Sequence, residues 1–104
     1  LVIGALARER RIAREVALAE AVRNLPALEL LEQRLRARLA HAQPLDWAAD
    51  QIGMAAIGLA RRRLGDAQPS GLGLILSEAA VTAQEMGVPV LAQRAESLKP
   101  RFVA

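Results

Sequence analysis

The sequence predicts an all-α fold of about five antiparallel helices arranged as helical hairpins. Three observations predict it. Ala, Leu, Arg, Glu and Gln, all strong helix formers, dominate the composition. The aromatic residues that sheets favour are almost absent, with only Trp47 and Phe102 present. Apolar residues recur at spacings of three and four between Pro26, Pro44, Pro69 and Pro89. Each of those prolines suits the first turn of a helix and would break one elsewhere.

The first helix is expected from about Val2 to Arg23. Val2, Ala5, Leu6, Ile12, Ala13, Val16, Ala19 and Val22 form its apolar stripe, and arginines and glutamates fill much of the rest. Asn24 either closes this helix or caps the next. The second helix, from about Leu25 to Ala42, carries Leu28, Leu31, Leu35 and Leu39 in a stripe close to a coiled-coil seam. Its glutamates come early and its arginines late, as the helix dipole favours, and His41 at its end reads as one more favourable charge partner.

The third helix spans Trp47 to Asp66, with Asp46 as its expected N-cap. It is apolar around most of its circumference, which places it centrally between neighbours. Gly53 and Gly58 each cost about 1 kcal/mol against Ala in a helix interior. Two such glycines imply close approach of another backbone. Gly65 is the expected left-handed stop. Ser70 is a candidate cap for a fourth helix running from Gly71 or Leu72 to Met86, with Leu72, Ile75, Leu76, Ala79, Ala80, Ala83 and Met86 inward. Gly87 ends it. A fifth helix starts at Pro89 and ends at Leu98 or Lys99, because Pro100 follows. Phe102 then packs back as an ordered tail.

A chain of 104 residues is one domain at most, residues 1–104. It should bury roughly two-thirds of its unfolded surface, enough for a core without staples. The chain starts at Leu1, so it is either a piece of a longer protein or the product of an unusual start codon. The opening apolar run is too short to span a membrane and lacks the order of a signal peptide. A cytoplasmic, bacterial protein with no membrane partner is expected.

Chemistry is sparse. There is no cysteine and one histidine, which removes disulfides, thiolate metal sites and histidine clusters. No cofactor is implied. All eleven acids are read as lying on polar faces or helix ends. Asp46 and Asp50 are four apart, but two carboxylates make a poor cation site. Ser70, Ser77, Ser97 and Thr82 lack a nucleophile-elbow pattern. The Ser70–Gly73 loop has glycines before a helix but no lysine after it and no strand before it. No catalytic residue and no metal ligand is assigned, and the chain is read as a non-enzyme.

Lys99 is the only lysine among the fourteen basic residues, and the net charge is +3. Arginines cluster at 8–14 and 61–63. Three consecutive arginines fan over about 200° of a helix and cannot meet one phosphate backbone. No aromatics stand beside them to stack on bases. Nucleic-acid binding through these clusters is an alternative, not the leading reading.

The stretch Ile57-Gly58, then Arg61, then Leu64-Gly65-Asp66 resembles the first helix and turn of a tetratricopeptide repeat, over about residues 47–90. Ala80 or Ala83 matches the small residue of that repeat's second helix, and Pro89 the proline after it. Arg61 replaces the usual aromatic, and the 67–71 loop is too long for the standard unit. The second half, with its Met-Gly-X-Pro, looks like the longer repeats of bacterial multidomain regulators. The first two helices match no repeat signature.

The resemblance implies a scaffold whose hairpins stack and grip a partner's helix or peptide. The lining it implies includes Trp47, Asp50, Gln51, Met54, Arg61 and Arg62. The competing reading of Trp47 is a cover over the core near a helix start; for Met54 and Met86 it is core filling.

The Leu28–Leu31–Leu35–Leu39 seam adds a face suited to another helix, so a protein partner or a homodimer is expected. The leading function is thus a non-catalytic protein-interaction module, of the regulator-tail or small-chaperone type. A helical accessory domain of a larger enzyme is a further alternative.

Overall fold

Five α-helices and a 3₁₀ turn follow in order: α1 (Val2–Ala21), α2 (Leu25–Leu39), α3 (Pro44–Arg63), α4 (Leu72–Glu85), α5 (Pro89–Leu98) and the turn Lys99–Phe102. The structure, a computed structural model, describes residues 2–66 and 71–102, among which there is no strand. Pro69 and the expected cap Ser70 lie outside the described residues.

The helix ends follow from local chemistry. Three helices close with the same pair of backbone bonds, a 6→1 bond enclosing a 5→2 bond. The N–H of Asp66 donates to Arg61 C=O and that of Gly65 to Arg62 C=O. Val88 and Gly87 repeat the pattern on Ala83 and Gln84, and Asn24 and Arg23 on Ala19 and Glu20. The motif needs a left-handed residue. Gly65 and Gly87 supply it freely, but at the end of α1 it is Arg23, at φ 54°. Asn24 fills both expected roles: its N–H closes α1, and its Oδ1 accepts from Ala27 N at 3.1 Å to cap α2.

Asp46 is not the cap of α3. The helix starts at Pro44 after Gln43, whose side chain makes no cap bond. Asp46 is therefore in the first turn, where its charge still suits the dipole. It lies 3.5 Å from Arg8.

α3 is the hub, packing on α1, α2, α4 and α5. Its two apolar faces feed two cores. Ile52, Ala55 and Leu59 join Leu76, Ala79, Ala83, Leu91 and Ala95 of α4 and α5. Met54, Ile57 and Ala60 join Ile12 and Val16 of α1 and Leu28, Leu31 and Leu35 of α2. α1 lies mainly against α3 and only lightly against its sequence neighbour α2. Arg8 meets Asp50, Ile12 meets Gly53, and Glu20 meets Arg63, a nearly constant offset that makes α1 and α3 parallel.

Gly53 marks the tightest point. A Cβ there would sit 2.6 Å from Ile12 Cγ2 and 3.2 Å from Leu35 Cδ1. The close approach is therefore by side chains of α1 and α2. Gly58 is buried too. Phe102 packs back on the core beside Gly73, at 3.6 Å from a Cβ built there.

Two inward assignments are corrected. Val22 is 73% exposed, because α1 has already ended at Ala21, and Met86 is 49% exposed at the end of α4.

Candidate docking surface

The expected lining of α3 is not an open surface. Asp50, Met54 and Arg61 share one side of the helix, and α2 covers it. Asp50 is completely buried, the one buried charged residue among those described. It is therefore an exception to the expectation that every acid sits on a polar face.

Two arginines reach it from separate helices. Arg8 donates from Nε to Oδ1 and from Nη2 to Oδ2, both at 2.9 Å. Arg38 donates from Nε to Oδ2 at 2.9 Å and from Nη2 to Oδ1 at 2.8 Å. Bidentate pairs of this kind are the strong form of the interaction. Burial pushes the Asp50 carboxyl up, but the hydrogen bonds and charges of Arg8 and Arg38 hold it below its ordinary value. The bond to Asp50 raises Arg8. The triad ties α1 and α2 to the start of α3.

Arg61 makes a second tie. It donates from Nε to Asp66 at 2.8 Å and from Nη1 to Glu32 of α2 at 2.7 Å. The bond to Asp66, then that to Glu32, raises its pKa against the effect of burial. Arg62 lies over the Phe102 ring, 5.7 Å from its centre, and Arg63 meets Glu20 of α1 at 3.1 Å. The three consecutive arginines thus go to three different parts of the molecule.

Met54 is core, and Trp47 packs as a half-buried cover on the α4–α5 side. Gln51 is half-buried. The leucine seam is core as well: Leu28, Leu31 and Leu35 are buried against α1 and α3, and Leu39 is half-buried. A helix stripe this regular meets its partner inside the chain.

The open apolar surface lies on the other flank of the α1–α2 hairpin. Because the two helices touch lightly, a groove of 480 Å³ remains between them at the hairpin tip. Leu18, Val22 and Leu30 wall it, 64%, 73% and 60% exposed, over Ala19 and Leu31. Glu15 and Arg34 pair across its inner end at 2.7 Å. Beyond them a smaller pocket of 100 Å³ continues between the same helices, lined by Arg8, Arg11, Arg34 and Arg38. Arg11 is exposed and has no ion-pair partner among the described residues. The groove is therefore apolar at the tip and basic further in. The sequence signal for it was available: Leu18 and Leu30 fall off the buried stripes of their helices.

A polar groove of 360 Å³ opens between α1, α3 and α5. The outer face of α4 bares Leu74 and Val81 on a shallow strip. No group of acids and histidines suited to a metal occurs among the described residues, and no helix there is long and apolar enough to cross a membrane. No protein-family model, curated protein or solved structure matches the chain.

Proposed function

We propose that this chain is a non-catalytic protein-interaction module that docks an amphipathic helix of a partner in the α1–α2 groove. The exposed Leu18–Val22–Leu30 groove carries the reading. Burying each of those side chains is worth about 1–2 kcal/mol, scaled to its exposure. Their sum is too small to hold an obligate dimer against the cost of association. It suits a reversible contact with one helix, apolar where it meets the tip and acidic where it meets Arg11. The parallel packing of α1 and α3, with α2 and α4 as return helices, supports a stacked-hairpin arrangement of the tetratricopeptide type. The offset of about 42 residues between them is longer than that repeat's 34.

Leu18→Glu combined with Leu30→Glu tests the reading, since both side chains are already exposed and the fold should survive. In affinity purification from the native host, a protein retained by the wild type and by Leu74→Glu should be lost with the double variant. An unchanged set of retained proteins overturns the proposal. So does concentration-dependent dimerisation by light scattering that the double variant abolishes, because the occupant is then a second copy.

A further inference from the structure

The groove between α1, α3 and α5 has a different chemistry from the hairpin tip. Three arginines from separate elements border it: Arg63 on α3, Arg94 on α5 and Arg101 in the final turn. Glu20 is the one acid in its lining, and it is already paired with Arg63. The groove thus carries three guanidinium groups against two carboxylates, counting the Glu9 bonded to Arg94. Arg94 holds Glu9 through Nε alone, at 2.9 Å, and Arg63 holds Glu20 through Nη1. Each guanidinium has five N–H donors, so both keep donors without a protein partner. Arg101 is exposed and has no ion-pair partner among the described residues.

The floor is apolar. Val16, Leu59 and Leu98 are buried beneath it. Ala17 is exposed there and leaves room for a backbone to come close.

We infer that this groove is a second binding site, and that its ligand is an extended acidic peptide segment. Small side chains of the segment would rest on the floor while its carboxylates meet Arg63, Arg94 and Arg101. The planar guanidinium fork matches a carboxylate in two-point fashion. A nucleic-acid strand is the poorer fit. The floor offers aliphatic groups where a strand would need stacking surfaces, and the nearby Phe102 ring is covered by Arg62.

The experiment uses a fluorescein-labelled decapeptide of alternating Glu and Ala, with alternating Gln and Ala as control. Binding to the full chain is followed by polarisation at low and high salt. The acidic peptide should bind, and the glutamine control should not. Arg63→Gln with Arg101→Gln should weaken binding about tenfold, as loss of two exposed ion pairs implies. Ala17→Leu, which fills the floor while keeping a good helix former in α1, should weaken it with the arginines intact. Arg36→Gln, on α2, which contributes nothing to the groove, should leave it unchanged. Circular dichroism confirms that each variant is folded, and chemical-shift mapping on the wild type gives the position independently. Equal binding by the groove variants, equal binding of the control peptide, or no binding at millimolar peptide overturns the inference. Displacement of the peptide by a stoichiometric amount of ten-residue oligothymidylate also overturns it, because the site is then a nucleic-acid site.

Discussion

Replacing Asp50 with Asn keeps the side-chain shape and removes the charge that two arginines share. The carboxylate accepts four hydrogen bonds, two from Arg8 and two from Arg38. An amide offers one oxygen, and its NH₂ group must face donors. Breaking a buried ion pair by removing one partner costs about 3–5 kcal/mol. The arginine side chains are 21% and 43% exposed and turn partly to water, so the lower end applies, about 3 kcal/mol. For a domain of this size that lowers Tm by about 12–24 °C.

Urea unfolding followed by helical circular dichroism and by Trp47 fluorescence measures the loss. The pH dependence follows from the same group. Asp50 titrates below its ordinary value in the folded chain. The unfolded chain therefore takes up its proton first, near pH 4. The stability Asp50 contributes is fully present above that pH and is lost as pH falls through the lower, folded value. The wild type should lose more stability in this acid range than Asp50→Asn does. A loss below about 1 kcal/mol, typical of exposed ion pairs, or parallel acid profiles for the two proteins, would refute a structural role for the triad.

Other outcomes follow from single positions. Gly53→Ala gains about 1 kcal/mol of helix propensity but forces a methyl onto Ile12, whose χ1 is stiff. Overpacking costs about 1–3 kcal/mol, so the net is a loss of about 1 kcal/mol. In the double-mutant cycle, Ile12→Ala should cost less in the Gly53→Ala background; additivity would contradict the contact. Arg23→Gly relieves a left-handed arginine and should stabilise by about 0.5–1 kcal/mol, less than the full strain because glycine loosens the unfolded chain; a fall in the urea midpoint would contradict it. Leu35→Glu puts a charge into the α1–α2–α3 core and should unfold the protein, whereas Leu30→Glu should leave its circular dichroism unchanged.

The helices and their ends were legible because their signals are local. Pro26, Pro44 and Pro89 open helices, and Gly65 and Gly87 close them. The central place of α3 was legible from its apolar circumference. Which side of α3 stays open was not. A helix apolar all round has no period that separates its neighbours, and the covered side is decided by α2 lying across Met54 and Arg61. In the sequence Asp50 looks like a surface acid because its partners are 42 and 12 residues away. The left-handed turn at Arg23 had no glycine to announce it. The leucine seam was legible as a stripe but not as core, since the pattern is the same whether its partner helix belongs to this chain or another.

The α1–α2 tip is the proposed seat of a partner helix. A photo-crosslinking amino acid placed at Leu30, and in separate experiments at Leu74, tests it inside the native host, with the crosslinked peptides identified by mass spectrometry. Position 30 should give a discrete adduct, joined to an amphipathic helical segment of another protein, and position 74 none. An adduct from position 74 alone, a crosslink from position 30 to a second copy of this chain, or no adduct at all would contradict it.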